Sequence, residues 1–540
     1  MILPLPIVER ELRGAARRRA TFGLRTGLAF AFTLVWAIMM ASRPRSYTPQ
    51  QWNYQVFVFL GIVGMLFCLF TGLFLTCDCL SSEKREGTLG LLFLTDLNGR
   101  DVVLGKLAAF SVNAIFGLLA VLPLLSLTLM SGGITTAEIY RVLLICFILL
   151  FYSLGIGLGV SARVWGARRA VLTSLGIVCA QAILLPIVWL LFAILVHDAE
   201  HTVGILVFCP VFPFVFAFNE PFSELFGPVY YWVGLSLMLA IGLAGIWTAC
   251  RVLPAKRLQE APAAKPLTNA TFWQDYFHGG QRWREKIRRR FLEADPFCWL
   301  GLRDRVMIFW LRAGLVLGLT LWSYLLLGAG FSEEERELYE MLWLGATWVL
   351  HIFVKVLLGV EASRLLNDSR TCGAWELLLV TPLRPADIIQ GAWRALWRVF
   401  TPSFTVLLVL NGFILFLLPH LTSFWSRQNH AFLLSASLGG MALLWLDAWA
   451  LTWKGLAGAI RSQSHLRALV GTLGWVMVPS WAAILLLFMK MTTMGWYNSW
   501  PSRLAIWAVW FIPTILSSLV IGFRARARVR RDFLARGAIT

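Results

Sequence analysis

The feature that most narrows what this chain can become is a series of apolar runs, each about twenty residues or longer, separated by short polar stretches. In the first half the runs cover 20–41, 53–78, 105–130, 138–162, 170–197 and 228–250. In the second half they cover 307–328, 340–366, 391–418, 430–459, 468–490 and 503–523. A helix needs roughly 20 mainly apolar residues to cross a bilayer. Backbone N–H and C=O groups cannot stay unpaired in hydrocarbon, so runs of this length must be helical. The expectation is an all-α polytopic membrane protein with about twelve transmembrane helices. Composition agrees, since only 14% of the 540 residues are charged, against roughly 25% in soluble domains.

The formal charge of +19 raises the question of nucleic acid, and its placement answers it. The cations punctuate the apolar runs and recur on alternate sides, rather than forming one folded basic face. One side receives Arg10 to Arg19, Lys84, Arg85, Arg100, Lys106, Arg163, Arg168, Arg169, the 251–295 segment, Arg370, Arg384, Arg461, Arg467 and the tail from Arg524. The other receives Arg43, Arg45 and Arg336, the last among Glu333, Glu334, Glu335 and Glu337. This positive-inside pattern predicts a multi-pass protein of the cell (inner or plasma) membrane with both termini cytoplasmic, and no nucleic-acid partner. The cysteines lie mostly in or beside apolar runs (Cys68, Cys146, Cys179, Cys209), where they serve as small hydrophobes, so no disulfide framework is expected. Arg10, Arg13 and Arg17 to Arg19 precede every apolar run, which is not the layout of a cleavable signal.

Residues 251–295 divide the chain into a first transmembrane half, 1–250, and a second, 296–540. The divider opens on LPAKRLQEAPAAKPL, a Pro/Ala/Lys-rich linker, and continues as QRWREKIRRRFLEADPF. There Trp283, Ile287 and Phe291 share one helical face and cations fill the rest. Such a helix is expected to lie in the cytoplasmic headgroup plane; the other reading is a solvated linker helix.

The halves resemble each other. LPIVERELR (Leu5 to Arg13) matches DPFCWLGLR (Asp295 to Arg303) before the first span. GTLGLLFLTDLNGRDVVLG (Gly87 to Gly105) matches GAWELLLVTPLRPADIIQG (Gly373 to Gly391) without a gap after the second, and SARVWGARRAVLTSLG (Ser161 to Gly176) matches AIRSQSHLRALVGTLG (Ala459 to Gly474) after the fourth. Both halves break up between their fifth and sixth spans. An even number of spans per half makes the repeats parallel, with an axis along the membrane normal and a pathway at their interface.

The loop after the second span, CDCLSSEKREGTLGLLFLTDLNGRDVVLGKL, leaves the membrane near Leu80 and re-enters at Gly105. It resembles the cytoplasmic loop of type 2 ABC transporter permeases, whose pattern is acidic, basic, x, Gly-Thr-Leu, x, Leu-Leu, x, Thr-Pro-Leu, then Gly-Lys. Glu83, Arg85, Gly87, Thr88, Leu89, Leu91, Leu92, Thr95, Leu97, Gly105 and Lys106 carry the resemblance in the first copy. Gly373, Glu376, Leu377, Leu378, Thr381, Pro382, Leu383 and Gly391 carry it in the second. The copies depart from the pattern at Asp96, which stands where Pro is usual, at Ala374-Trp375, at Ala392 in place of Lys, and at Asp368, to which the acid shifts.

The resemblance implies a permease in which each loop is a short coupling helix seated in a groove of a separate ABC ATPase subunit, in two copies. It implies that Glu83, Arg85 and Glu86 orient that contact while leucines anchor it. ATP and magnesium would then belong to the partner, with no cofactor in this chain, no enzymatic role for it, and export as the direction. Leu5 to Arg19 and Pro296 to Arg305 resemble the family's amphipathic elbow helices, with Val8 and Leu12 toward lipid. The substrate stays open.

The sequence itself offers no nucleotide site. In GRDVVLGKL five residues separate Gly99 from Gly105 and Leu107 follows the Lys, whereas a phosphate-binding loop needs four, then Ser or Thr. MSGGI (Met130 to Ile134) reads as a turn between spans on the non-cytoplasmic side. Charges within spans are functional candidates, which singles out Asp447 and Lys355 as possible pathway residues; the other reading is a structural pair of Asp447 with Lys355 or Lys454. Cys77 and Cys79, with no nearby His or further Cys, do not make a metal site. Residues 198–227, interrupted by Pro210, Pro213 and Pro221, suggest a re-entrant hairpin. Three other functions remain open: an ion-gradient-driven secondary transporter, which wants more paired intramembrane acids; a membrane-embedded enzyme, for which His197, Asp198 and His201 form a thin cluster; and a non-transporting membrane partner such as a sensor.

Overall fold

The structure, a computed structural model, describes residues 5–16, most of 26–40, 43, and then 47–94, 97–119, 122–164, 166–186, 189, 203–223, 226–253, 281–302, 305–331, 336–371, 380–381, 383–417, 424–462, 465–494 and 500–537. Two compact units emerge, one from Met1–Ala263 with Met489–Trp496, the other from Ala264–Phe488 with Tyr497–Thr540. Among the described residues every regular element is helical.

The first unit begins with α1 (Leu5–Ala16), after which the described residues between 26 and 40 are helical. Next come α2 (Pro49–Thr76), the short α3 (Cys79–Glu86) and α4 (Thr88–Leu92), and α5 (Gly99–Leu119). These are followed by α6 (Leu122–Met130), α7 (Thr136–Arg163), α8 (Ala167–Cys179, continued by a π turn Ala180–Leu184), α9 (Phe212–Val215), α10 (Asn219–Ser223) and α11 (Gly227–Val252). Within the apolar run 105–130 the described residues 105–119 and 122–130 are helical. The second unit holds α12 (Gln281–Phe291), α13 (Pro296–Leu302), α14 (Val306–Phe331), α15 (Arg336–Thr371), α16 (Pro385–Leu417), α17 (Phe424–Arg461), α18 (His465–Met494) as far as Phe488, and α19 (Trp500–Gly537). Six stretches among the described residues are long and apolar enough to cross a bilayer: Pro49–Arg85, Gly99–Leu119, Thr136–Arg163, Gly227–Val252, Val306–Leu326 and Ala386–Leu417. α2 alone, with 28 residues, is about 42 Å long at 1.5 Å per residue.

Both units pack in the same order. The fourth span lies against the second and the sixth: α7 on α2 and α11, and α17 on α15 and α19. The third span lies against the second and fourth, and the short pre-span helix lies on the third: α1 on α5, and α13 on α16. Lipid tails are as apolar as leucine, so contacts between spans depend on close backbone approach and hydrogen bonds. A Cβ on Gly155 would stand 2.2 Å from the Gly242 carbonyl, and one on Gly245 would stand 2.3 Å from the Gly155 carbonyl. Thr76 Oγ1 donates to the Leu154 carbonyl across α2 and α7 (3.1 Å), and a Cβ on Gly157 would meet that same hydroxyl. In the second unit a Cβ on Gly455 would meet Ala362, and one on Gly522 would meet the Trp449 ring.

One end of the first unit is closed by MSGGI and the 203–223 segment. Gly132 and Gly133 have φ of 80° and 85°, a turn that glycine adopts without strain, and Asn53 Nδ2 donates to the Thr128 carbonyl (2.6 Å). The reading of 198–227 as a re-entrant hairpin can be compared only from residue 203. There a 3-10 turn (Val203–Phe208), α9 and α10 fold back over α2 and α11. Phe212, Phe214, Phe216 and Phe218 form its aromatic underside, and Glu138 receives the Asn219 N–H (3.0 Å). His197, Asp198 and His201 lie outside the described residues.

α12 turns its apolar face onto protein: Trp283, Ile287 and Phe291 pack on Cys298 and Leu302 of α13 and on Ala395 and Val399 of α16. The physical reason is that an amphipathic stripe records only that something apolar must cover it, and here the chain's own next helices do so.

Candidate functional site

In the first hairpin α2 ends at Thr76, turns through Cys77 and Asp78, and continues as α3. Gly87 ends α3 with φ 72°, the left-handed position that glycine takes most readily. After α4 the chain reverses again at Asn98, whose N–H donates to Asp101 Oδ2 (3.0 Å) as α5 begins. The second copy repeats this cap in register, with Arg384 N–H donating to Asp387 Oδ2 (3.3 Å) at the start of α16.

A second contact also recurs. Lys84 Nζ donates to the Ala162 carbonyl at the end of α7, and in the same register of the second copy Arg370 Nη1 donates to the Ile460 carbonyl at the end of α17 (2.6 Å). A helix leaves its last four carbonyls without intrahelical donors and carries partial negative charge there, so a cation at this point locks the exit of the second span to that of the fourth.

Glu83 does not face outward. Its Oε1 lies 2.8 Å from Lys106 Nζ of α5 and 3.0 Å from Arg10 Nη2 of α1, and Lys106 also reaches Glu11 Oε1 at 3.3 Å. A nearly buried ammonium on α5 needs carboxylates close by, and Glu83 is the acid the hairpin can supply. Burial pushes the Glu11 carboxyl up, but Lys106 and Arg10 outweigh it and hold the group below its ordinary 4.5. Arg85 is also engaged, gripping both Asp78 oxygens (2.9 and 3.0 Å). Thr88 donates to the Glu83 carbonyl (3.4 Å). Gly105 is buried, and the Glu86 side chain lies outside the described residues.

Leucines divide by role. Leu89 is 2% exposed and belongs to this unit's own core, with Ile7, Leu80, Val102, Leu158 and Leu253. Ile7 thus draws α1 onto protein, whereas Val8 and Leu12 stay half exposed. Leu94, just past α4, is 82% exposed, and its register partner Val380 is 80% exposed. The sequence reading missed this pair; aligning the two loops and asking which apolar position follows the short helix would have found it.

In the second hairpin Asp368 is exposed and bonded to Arg364 (3.1 Å), which also holds Glu361. Thr381 is exposed, while Gly373, Glu376 and Pro382 lie outside the described residues. Gly391 permits contact between α13 and α16, since a Cβ there would stand 2.6 Å from Asp295 Oδ1 and 2.9 Å from Phe297 Cβ. Deeper in this unit, Lys355 Nζ and Asp447 Oδ2 are 2.7 Å apart. Ser518 Oγ donates to the other Asp447 oxygen at 2.5 Å, so three spans meet on one carboxylate that is 1% exposed. Lys454, the alternative partner, sits 5.3 Å from the Trp475 ring centre instead. Cys77 and Cys79 are buried, and no three His, Cys, Asp or Glu gather as a metal set among the described residues.

The comparison that decides the family is a match of residues 5–249 to the model of the ABC-2 family transporter protein. Residues 5–249 belong to the ABC-2 transporter family. The chain is thus a multi-pass membrane protein with an ABC-2 permease domain, a type of domain that in general works with an ABC ATPase. No curated protein matches the sequence. A crystal structure of a MATE protein in complex with MaL6 is similar over 97% of both chains, at 13% identity and a TM-score of 0.36; at that score the likeness carries no argument.

Proposed function

We propose that the whole chain is the membrane unit of an ABC exporter, made of two duplicated halves whose hairpins each seat one copy of a separate ATPase at the cytoplasmic face. The observation that carries this reading is the recurrence, in register, of an exposed apolar residue at each hairpin (Leu94, Val380) above a cationic tie to the fourth span (Lys84, Arg370). An exposed apolar side chain is the form a buried interface anchor takes. Glu83, Arg85 and Lys106 then act as positioning residues, which brace α3 and hold it against α1 and α5 rather than touching the partner.

ATP binding and hydrolysis belong to the partner. Its closure presses the hairpins, and because each is clamped to the end of the fourth span, the push reaches spans two, three and four together. The test is capture and ATP turnover with an ABC ATPase encoded beside this chain. Leu94→Asp and Val380→Asp should each lower affinity by roughly thirtyfold, about 2 kcal/mol, and the double variant should abolish capture while still inserting. Undiminished capture by the double variant overturns the proposal.

The buried Lys355–Asp447 pair favours a second reading, transport driven by an ion gradient with these two residues on the pathway. Transport that continues without ATP and stops when the proton or sodium gradient is collapsed would select it.

A further inference from the structure

α12 is held by more than its apolar stripe. The Arg305 guanidinium sits 4.4 Å from the Trp283 ring centre, and that of Arg398 sits 4.4 Å from Phe291, each a cation–π contact. With the apolar face occupied by α13 and α16, the rest of the helix has only polar work to do. Around it Lys286, Arg288, Arg289 and Arg290 are exposed, Arg290 lying beside the stripe with its guanidinium 5.5 Å from the Phe291 ring centre, and the single acid in the helix is Glu285. Among the described residues no ion pair engages Arg288, Arg289 or Arg290.

A docked helix with three consecutive exposed arginines, none of them in an ion pair among the described residues, has a standing demand for anions. Its place in the chain says which: α12 runs through Leu292–Asp295 into α13, and α14 begins its apolar run at Val306. The cluster is thus anchored on α13, just ahead of the apolar α14, and against α16; beside apolar helices of membrane length the dense anion array to expect is the lipid headgroup layer. We propose that Lys286, Arg288, Arg289 and Arg290 form a binding surface for anionic phospholipid headgroups, presented by a helix whose apolar face is covered by protein. The lipid contact is therefore electrostatic, without insertion of the Trp283 face, and should be strongly screened by salt. Three arginines near an anionic surface correspond to roughly a hundredfold in binding equilibrium.

The test places the full chain in nanodiscs of phosphatidylcholine alone, or with one third phosphatidylglycerol, and follows amide hydrogen exchange over 281–291. Discs expose both faces, so the result does not depend on the orientation assumed under the proposed function. Protection of this segment should rise in the anionic discs, fall back in about 0.5 M salt, and be lost in the variant R288Q/R289Q/R290Q. The variant R288K/R289K/R290K should retain it, because a point charge suffices. Equal exchange in both discs overturns the proposal. So does equal protection of the phosphatidylcholine discs by inorganic phosphate, which would make this a free-anion site. Should the Gln variant undock α12, its exchange rises in both discs, and the parent chain's difference between lipids still decides.

Discussion

The two halves share a frame and place their charges at different depths. In the first, Glu83, Lys106, Glu11 and Arg10 cluster where the hairpin meets α1; the second has Ser369, Ala392, Gly301 and Leu300 in the same register. In the second, Lys355 and Asp447 pair inside the spans; the first has Leu69 and Leu149 there, each 2% exposed. What recurs is the helix-end tie, the Asx-type cap and the small-residue contact of Gly157 with Thr76 and Gly455 with Ala362. The frame is thus set by backbone approach and helix ends, and the charges are additions that each half makes for itself. An addition near the surface can use water for part of its solvation, whereas one within a span needs its partner.

The largest effect should come from making the second half like the first. Lys355→Leu alone strands Asp447, and Asp447→Leu alone strands Lys355; each should cost about 3–5 kcal/mol, since an uncompensated buried charge remains. The double variant K355L/D447L should recover most of that loss, because apolar residues of similar volume replace a buried pair at little cost. Denaturation midpoints in detergent measure the stability, and a transport assay on the recovered double variant separates a packing role from a pathway role. Single variants as stable as the parent would mean that water already reaches the pair, and that the contrast between halves is shallow.

A smaller effect tests the shared frame. Lys84→Ala and Arg370→Ala each leave helix-end carbonyls without a charged donor, and each should cost about 1–2 kcal/mol. The comparison predicts similar losses in both units, read by hydrogen exchange at the ends of α7 and α17. A loss confined to one unit breaks the equivalence on which the proposed duplication rests.

Much of the frame was legible before any coordinates. Apolar runs of membrane length leave helix as the only solution, and the paired loops set a register that the recurring contacts follow. The site was less legible, for reasons visible at particular residues. An acid beside a basic residue, as at Glu83, reads equally well as an outward docking group or an inward partner; Lys106, 23 positions along a chain that folds back, decides it. Leu89 and Leu94 look alike in sequence, and only the left-handed step at Gly87, with the short α4 it launches, turns one into the core and the other out. The stripe of α12 gave the helix but not its cover, because periodicity is blind to whether lipid or protein lies opposite.

The smallest expected effect concerns α1. The Glu11 carboxyl is held below its ordinary 4.5 in the folded chain, so its contribution is whole above that value and fades as pH falls through the depressed folded value. Docking of α1 should therefore loosen in acid, by less than about 1 kcal/mol, because Glu11 is partly exposed and solvent screens it. Hydrogen exchange over Leu5–Ala16, corrected for intrinsic rates between pH 6 and pH 3, measures this. Glu11→Gln should flatten that part of the profile and leave α1 slightly less protected at pH 6, since the amide keeps a hydrogen bond to Lys106 but loses the charge. If the Gln variant keeps the parent's full pH dependence, another carboxylate holds α1 to the hairpin, and the surface cluster of the first half is organised around Glu83 alone.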